Sequence, residues 1–544
     1  MKKNIILFSG WILLALIHVF LGSKAITALS PTYDEPVHAT AGYIYLKTSD
    51  YRYNGHHHPP FAEMWAAVPW LVLKPILPIY HTAWMKQTWN PYEQYQFADL
   101  LIYRNRVSHE KLLSAARRMQ LLMSVLLGLA LLLVGWSVGG PGAGFLSAAF
   151  WSMSPTFLAQ GTLVTTDLAF AVFFFLFFYG LTREQNVKWS IFSGTALGLA
   201  MASKYLAVAI FPCLFVVGVY FLFQKKYRHG WFKKNTKAMI TIPLAALFVL
   251  ILIYQGSSLN VFWEGFSSIL TRAQAGRTSF FKGEYSNTGW LTYFPFAFLV
   301  KTPIPVLIAL SVAVGVLIMT RMSVSPWLII PPVMMFGLAC ISNVQIGHRH
   351  ILAIYPFLFS IVGFGLNNLG KRILFVVPPL LLWLFLEVWH VKPFYLSYFN
   401  QFVGGPSEGY RYFTDSNLDW GQGLKMLAQE LEKEDLEKGI YLSYFGVADP
   451  HSYGIRYINV GSDAIADHKD DRGNLLEPPN KFAISVTNYQ ATYYSNREVF
   501  GWLKDKKPLK KIGYSIFLYD FKNDPDSLKR LNALTAMPFE RWNK

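Results

Sequence analysis

A series of long apolar runs along the first 390 residues is the feature that most constrains how this chain folds. A helix needs about 20 apolar residues to cross ~30 Å of hydrocarbon, and fewer where it is buried in a bundle. On this basis we predict an α-helical polytopic membrane protein with about eleven spans. The spans lie near residues 5–23, 119–138, 144–160, 164–181, 238–256, 303–320, 326–342, 351–368 and 373–390, with two short ones within 190–223.

Composition and charge agree with a membrane protein. Only 15% of the residues are charged, against about 25% in soluble proteins, which excludes a soluble multidomain enzyme. The net charge of +17 lies entirely within residues 1–390, because residues 391–544 hold 20 basic and 20 acidic residues. Positive charge between apolar runs indicates membrane topology, so we predict no nucleic-acid partner.

The number of spans in the stretch 190–223 decides on which side of the membrane the following cations lie. One span would place them outside, and two spans would place them in the cytoplasm. Two spans leave six cations in the cytoplasm, as the positive-inside rule favours. These are Lys225, Lys226, Arg228, Lys233, Lys234 and Lys237. The N-terminus is then cytoplasmic, and Lys204 lies at the outer face. The first apolar run resembles a signal peptide, but we expect an uncleaved anchor because many spans follow it.

We predict two parts on this topology. Residues 1–390 form a transmembrane domain with a long external loop at 24–118, and residues 391–544 form a small external α/β domain. The tail contains one helix-like run and three strand-like runs. They are Gln422–Lys438, Gly439–Phe445, Lys481–Val486 and Gly513–Phe521.

Acidic residues at the outer ends of two predicted spans are the first candidates for chemistry. Tyr33-Asp34-Glu35-Pro36 follows the first span, and Asp167 opens the fourth. Carboxylates at a membrane surface are costly unless they are solvated, paired or metal-bound. Helix capping is the alternative interpretation for both places.

Basic residues recur at the same predicted face. His56-His57-His58-Pro59-Pro60 closes a turn and suits metal or phosphate binding, or a solvated turn that enters a helix. Lys204, Lys301 and His348-Arg349-His350 lie next to spans. Interfacial snorkelling explains many such cations, but Lys204 interrupts an apolar stretch. Several cations at one face could hold a phosphate.

In the tail, Asp419 and Trp420 lie in Asp415-Ser416-Asn417-Leu418-Asp419-Trp420-Gly421-Gln422, just before the predicted helix. A capped turn and a sugar-binding site with an exposed Trp are equally good interpretations of this segment.

Together these motifs resemble the protein O-mannosyltransferase-like family of type C glycosyltransferases, which includes the aminoarabinose transferases of lipid A. The residues that carry the resemblance are Asp34-Glu35, His58-Pro59-Pro60-Phe61, Lys204, Phe294-Pro295 with Lys301-Thr302-Pro303, and Gly347-His348-Arg349-His350-Ile351. The segment Ser416–Gln422 is similar to that of a bacterial subgroup, so we expect a bacterial plasma membrane with a periplasmic C-terminal domain.

The resemblance implies an enzyme that moves a sugar from a polyprenyl-phosphate carrier to a hydroxyl or phosphate of a protein, lipid or glycan. It gives Asp34 the role of general base and implies direct displacement with inversion. Glu35 would orient the acceptor or a nearby cation. The cations implied for the phosphate are Lys204, Arg349, His58, His348 and Lys301. Further candidate contacts to acceptor or sugar are Tyr33, Asp167, Asp419 and Trp420.

Two matters stay open at this point. A divalent metal is a possible cofactor, with His57, His58 and His348 as candidate ligands, but relatives often carry an acidic residue where this chain has His57. The alternative functions are a lipid or sugar-lipid flippase and a noncatalytic scaffold. The polar residues cluster at one face instead of the midplane that transporters use, which favours the enzyme.

Overall fold

The apolar runs form helices whose ends are set by proline, glycine and polar caps. The structure is a computed structural model. It describes residues 2–86, 89–224, 231–256, 258–433, 439–461 and 479–535. Helix starts follow the expected chemistry. A capping box of Asn90 and Glu93 opens one helix, and Pro141, Pro155 and Pro326 each lie in the first turn of another.

The described α-helices are α1 (Lys2–Ala28), α2 (Glu35–Thr48), α3 (Phe61–Ala67), α4 (Trp70–Leu73), α5 (Pro91–Tyr103), α6 (His109–Gly139), α7 (Pro141–Ser152), α8 (Pro155–Gln160), α9 (Asp167–Leu181), α10 (Val187–Met201), α11 (Ile210–Phe223), α12 (Trp231–Ile253), α13 (Leu259–Ala275), α14 (Tyr293–Lys301), α15 (Ile304–Met319), α16 (Pro326–Cys340), α17 (Tyr355–Asn367), α18 (Ile373–Val391), α19 (Leu424–Glu432), α20 (Val486–Tyr489) and α21 (Pro525–Thr535).

Six helices within the described ranges are long and apolar enough to cross a membrane. They become seven if α14 and α15, which meet at a 105° bend, form one span. The helices α9 and α16 are apolar but shorter. Length and composition therefore support six or seven spans, and the figure of about eleven stays a prediction.

The break at Lys204 agrees with the prediction of two spans in 190–223. α10 ends at Met201, Lys204 is extended with φ of −155°, and a 3-10 turn over Tyr205–Ala209 leads into α11. Of the six cations after this stretch, those within 225–230 lie outside the described residues.

The core of the bundle surrounds α9. Phe174 and Phe178 of this helix are fully buried and pack edge-on or tilted against Phe357 of α17. α9 also contacts α6, α10, α16 and the 3-10 turn His348–Ile354. Because a helix that is apolar on every side must be covered on every side, α9 lies in the middle and its first residue, Asp167, is held at one end of the bundle.

The C-terminal part contains a mixed five-stranded sheet, as the α/β prediction requires. Its strands lie in the order β4-β3-β5-β7-β6, and a separate hairpin is formed by β1 and β2. β3 pairs in parallel with β4 and β5, whereas β7 pairs antiparallel with β5 and β6. The strands are β1 (Ser279–Phe281), β2 (Glu284–Ser286), β3 (Ile440–Ser443), β4 (Tyr457–Asn459), β5 (Lys481–Ser485), β6 (Lys510–Ile512) and β7 (Ile516–Asp520).

Three of these strands, β3, β5 and β7, fall inside the predicted runs, whereas β4 and β6 were not predicted. The predicted helix Gln422–Lys438 appears as α19, and its last residues, 434–438, lie outside the described ranges. Strands of three residues carry too little alternation to be recognised in a sequence.

The segment before α19 is tied to the beginning of the chain. Tyr33 N–H donates to the Trp420 carbonyl at 2.8 Å, and the Ser30 hydroxyl donates to the Gly421 carbonyl at 3.0 Å. Ser30 N–H also donates to the Gln422 carbonyl at 3.2 Å. These bonds hold the residues just before Asp34 against residues almost 400 positions later.

Candidate active site

Two carboxylates and two cations converge where several helices begin or end. The ammonium group of Lys204 donates to Asp167. Arg349 Nη1 lies 3.4 Å from Asp34 Oδ2 and 3.6 Å from Asp167 Oδ2. The four residues were predicted from separate motifs, and the structure brings them together into one charged cluster.

Local backbone structure explains this convergence. Asp34 lies directly before α2, Asp167 is the first residue of α9, and Arg349 is the second residue of the 3-10 turn His348–Ile354. Asp34 occupies the N-cap position, but its side chain makes no capping hydrogen bond. Helix capping therefore does not explain why a carboxylate lies at this position. The Asp34 side chain is 28% exposed and is accessible to a ligand.

Arg349 is the centre of the cluster. Its guanidinium carbon lies 4.0 Å from the centroid of the Trp420 ring, a cation–π contact. Its Nε is buried and has no hydrogen-bond partner within the described part of the chain, and the same is true of His350 Nε2. Buried polar atoms without a partner are costly, so these two mark a place for a ligand.

Trp420 corrects one expectation. The interpretation as a sugar-binding residue assumed an exposed ring, but Trp420 is 2% exposed. The Arg349 guanidinium lies over one face of the ring, and this contact helps to orient Arg349.

The cation Arg277 was missed by the sequence analysis. It follows α13 and lies 5.4 Å from the Tyr493 ring. Tyr493, Asp415 and Asp34 raise the pKa of Arg277, although burial opposes this. Asp415 in turn accepts a hydrogen bond from the Tyr493 hydroxyl and has a φ of 51°, a conformation that Asp tolerates better than most residues. No local pattern marks Arg277, because its neighbours come from distant parts of the chain.

Close backbone contact fixes the two site segments relative to each other. A Cβ at Gly347 would lie 2.1 Å from the Ser416 hydroxyl oxygen. His348 N–H donates to Asn417 Oδ1 at 2.8 Å. A side chain at position 347 would displace the Ser416 hydroxyl, which donates to the Ile346 carbonyl at 2.9 Å.

Glu35 differs from its neighbour Asp34. Arg117 Nε donates to Glu35 Oε1 at 2.8 Å and Nη2 to Oε2 at 2.6 Å, and the backbone N–H groups of Thr32 and Val164 donate as well. Burial disfavours the charge, but Arg117 outweighs it and the pKa of Glu35 is lowered. Glu35 thus orients a cation, one of the two roles expected for it.

Lys301 and His348 lie beside the cluster but are committed elsewhere. The Lys301 ammonium donates to the carbonyls of Leu396 and Asn417. His348 Nε2 is 2.6 Å from the Tyr355 hydroxyl. Their predicted contact with phosphate stays a prediction, with few donors left for it.

The histidine turn forms a second polar group next to the cluster. His38 Nδ1 lies 2.7 Å from Glu63 Oε1, and the His38 and His58 rings are 4.8 Å apart. Burial lowers the pKa of His38, but Glu63 and Asp34 outweigh this and raise it, whereas burial and His38 lower the pKa of His58. Across the described ranges, no three His, Cys, Asp or Glu residues are arranged to hold a metal ion, so His57, His58 and His348 do not form such a group.

Tyr33 and Asp419 are the remaining predicted contacts to acceptor or sugar. The Tyr33 ring stacks on Phe445 at 5.4 Å and meets Tyr95 edge-on at 5.2 Å. Asp419 is fully buried and accepts from the Thr487 N–H at 2.8 Å, and burial raises its pKa to about 7. Asp419 therefore stabilises the turn and does not reach the open part of the cluster.

Comparison with known proteins supports the resemblance. Residues 106–254, which include Asp167 and Lys204, match a family model described as dolichyl-phosphate-mannose-protein mannosyltransferase. No curated protein matches the chain.

Several solved structures are similar to this chain, and two of them illustrate the likeness. ArnT from Cupriavidus metallidurans bound to undecaprenyl phosphate is 12% identical, with 94% of this chain and 98% of that chain covered and a TM-score of 0.49. The oligosaccharyltransferase AglB from Archaeoglobus fulgidus, in complex with an inhibitory peptide and a dolichol-phosphate, is 12% identical, with 71% and 56% covered and a TM-score of 0.44. Both TM-scores are below 0.5, so neither structure supports an argument about this chain. The family model alone confirms the predicted resemblance to the mannosyltransferase-like membrane glycosyltransferases.

Proposed function

We propose that this chain is an integral membrane glycosyltransferase that moves a sugar from a polyprenyl-phosphate carrier to an acceptor at the outer membrane face. The observation that carries the proposal is the position of Arg349 Nη1, 3.4 Å from Asp34 and 3.6 Å from Asp167, with Lys204 bound to Asp167. A base next to fixed cations is what a displacement with a phosphate leaving group needs. The family model matched by residues 106–254 supports a lipid-phosphate sugar as donor.

The proposed reaction begins at Asp34. Its partly exposed carboxylate removes the proton from the acceptor hydroxyl. The acceptor oxygen then attacks the anomeric carbon from the face opposite the phosphate, the bond from that carbon to the phosphate oxygen breaks, and the configuration inverts. The electron pair leaves with the polyprenyl phosphate, where Lys204, Arg349 and Arg277 stabilise the negative charge.

The topology is part of the same proposal. The cluster lies at the end of the bundle where α10 ends and α9 begins, which the positive-inside rule assigns to the outer face. We assign the membrane part to residues 1–390 and the external part to 391–544, with a bacterial plasma membrane as the site. The segment Asp415–Trp420 of the external part contributes to the cluster.

The decisive experiment is Asp34→Asn in the purified protein. Loss of a general base lowers the transfer rate by about 10²- to 10⁴-fold, while binding of undecaprenyl phosphate is retained because the cations remain. Transfer is followed with membrane lipids from the host as donor and acceptor source, and products are identified by mass spectrometry. Asp526→Asn, at an exposed position in α21, is the matched control and leaves transfer unchanged.

Two results would count against the proposal. Unchanged transfer by the Asp34 variant would exclude this residue as the base. Movement of a labelled sugar lipid across liposomes without sugar transfer would favour the flippase, which remains the second candidate. Lys204→Ala serves as a further check, because it weakens undecaprenyl phosphate binding if the cations hold the phosphate.

A further inference from the structure

A cleft with a volume of about 120 Å³ lies where the membrane part meets the external part. Its walls come from the end of α1, the first turns of α6, the start of α19 and the 3-10 turn Pro450–Tyr453. One water molecule needs roughly 10–15 Å³ of such a space, so the cleft has room for a group the size of a phosphate ester. It shares no lining residue with the charged cluster around Arg349, and it is therefore a separate site.

The cleft lies at the level of the lipid headgroups. The apolar run of α1 ends near residue 23, and that of α6 begins near residue 119, whereas residues 26–29 and 109–117 supply the lining from these two helices. At about 1.5 Å per residue, the lining extends from roughly 3 to 15 Å beyond the hydrocarbon. The headgroup layer occupies the first part of that distance.

Exposed apolar residues continue from the cleft toward the membrane on both helices. On α1, Thr27 lines the cleft, and the exposed Phe20 and Leu16 follow on the same face at helical spacing. On α6, Ser114 lines the cleft, and the exposed Leu122 follows two turns later. An acyl chain can therefore lie along either helix below a headgroup held in the cleft.

The charges of the described lining are balanced. Arg117 lines the cleft, but all five of its N–H donors are used, by Glu35 and by three backbone carbonyls. The remaining charged pair is Lys425 of α19, whose ammonium donates to Glu110 of α6. The side chains of this pair are 23% and 56% exposed, and such a pair is weak, so a ligand can separate it. A lining with one cation and one anion suits a zwitterion better than a purely anionic group.

His109 supplies a further polar group that lacks a partner. It lines the same cleft, and its Nε2 is buried without a hydrogen bond to any described residue. A buried ring nitrogen left in this way is costly, and a phosphate oxygen would accept a hydrogen bond from it.

We propose that this cleft binds a phospholipid whose headgroup carries both a phosphate and a primary ammonium group, as in phosphatidylethanolamine. Lys425 and His109 Nε2 donate to the phosphate, and the lipid ammonium donates to Glu110. The lipid thereby links α19 of the external part to α1 and α6. The inference goes beyond sugar transfer and does not depend on it, because the site is separate and the test measures binding alone.

The test measures dissociation constants for the first lipid bound to the purified full-length protein, by native mass spectrometry. The probes are phosphatidylethanolamine, phosphatidylcholine and phosphatidylglycerol with identical acyl chains. Phosphatidylcholine is the closest match, because methylation removes only the N–H donors of the ammonium group. We expect phosphatidylethanolamine to bind at least about 5-fold more tightly than either of the others.

Two charge variants assign the contacts. Lys425→Gln should weaken the binding of phosphatidylethanolamine and phosphatidylcholine alike, by about 5- to 10-fold. Glu110→Gln should instead remove the preference for phosphatidylethanolamine over phosphatidylcholine. Lys506→Gln is the matched control, since Lys506 forms a similar partly exposed pair with Asp524 away from the cleft, and it should bind all three lipids like the native protein.

Ser114→Trp tests the cleft without a change of charge, because the larger side chain fills the space. It should abolish the preference for phosphatidylethanolamine, which keeps the inference testable if a charge variant does not fold. Equal affinity of the native protein for phosphatidylethanolamine and phosphatidylcholine would overturn the inference, as would tighter binding of phosphatidylglycerol. A Ser114→Trp variant that binds all three lipids like the native protein would show that the lipid lies elsewhere.

Discussion

Asp34 and Glu35 are neighbours in the chain, and each is paired with an arginine, yet the two pairs differ in almost every respect. The Glu35–Arg117 pair is closed, because its side chains are 0% and 2% exposed and Arg117 also donates to the carbonyls of Leu29 and Ser30 at 2.8 Å. The Asp34–Arg349 pair is open, since its side chains are 28% and 12% exposed and Arg349 Nε has no hydrogen-bond partner among the described residues.

The difference shows how one short motif serves two purposes. Through Arg117, Glu35 fixes the end of α1 relative to the start of α2. The neighbouring Asp34 is thereby held in place, and its own side chain is not needed to stabilise the fold. A group meant to exchange a proton must keep a free lone pair, whereas a group meant to hold structure is most effective when every lone pair is occupied. Asp34 fits the first description and Glu35 the second.

The largest expected effect is a loss of stability when the closed Glu35–Arg117 pair is broken. Arg117→Ala leaves Glu35 buried without its cation, and removing one partner of a buried pair costs about 3–5 kcal/mol. We expect a strong loss of stability, measured by thermal unfolding in detergent. Glu35→Gln, which retains most of the shape, should be milder. If Arg117→Ala unfolds at the same temperature as the native protein, the distinction between closed and open pairs is wrong.

A smaller effect, on the rate of transfer, is expected when Arg349 of the open pair is replaced by a residue of the same charge and a different shape. In Arg349→Lys, a single ammonium cannot reach Asp34, Asp167 and the Trp420 face together, and planar contacts to the phosphate are lost. We expect kcat/KM for transfer to fall about 10-fold or more, with the unfolding temperature nearly unchanged. An unfolding temperature that falls together with activity would instead mean that Arg349, like Arg117, is structural.

The smallest effect concerns Asp419, which is buried like Glu35 but forms no ion pair with the described residues. Burial raises its pKa to about 7, so between about pH 4 and pH 7 the folded state holds a proton that the unfolded state releases. Stability therefore falls as the pH rises through this window and levels off above it, and each difference of one in pKa corresponds to about 1.4 kcal/mol.

Asp419→Asn cannot ionise, so its unfolding temperature should change less between pH 5 and pH 7.5 than that of the native protein. The measurement is unfolding of the external part, followed by tryptophan fluorescence at several pH values. Asp526→Asn provides the comparison at an exposed site. Identical pH dependence in the native protein and the Asp419 variant would show that this carboxyl ionises normally.

Much of the fold was predictable, because a membrane span has a strong local signal. Hydropathy predicted the long helices, and the cations that follow the stretch 190–223 predicted the break between α10 and α11. The three longer strands of the C-terminal sheet were also recognisable. The number of spans was not settled, because short helices such as α9 and α16 are stabilised by burial in the bundle and not by length.

The site was predictable only in part. Asp34, Lys204 and Arg349 lie in distinctive motifs at helix ends, and so their convergence followed from topology. Arg277 and Arg117 have no such signal, since each is defined by partners from other parts of the chain. The sequence suggested that Lys301 and Trp420 could contact a ligand. The tertiary structure shows instead that the Lys301 ammonium donates to backbone carbonyls and that the Trp420 ring is buried.

The hydrogen bonds from Ser30 and Tyr33 to Gly421 and Trp420 also determine when the charged cluster can form during synthesis of the chain. The partners are 391 positions apart for Ser30 and Gly421, which at 5–20 residues per second corresponds to roughly 20–80 s of synthesis. Asp34 is therefore synthesised long before the segment that contains Trp420, which contacts Arg349. A nascent chain interrupted before that segment contains Asp34 without the contacts that assemble the charged cluster. If the proposed function holds, transfer begins only after nearly the whole chain has been translated.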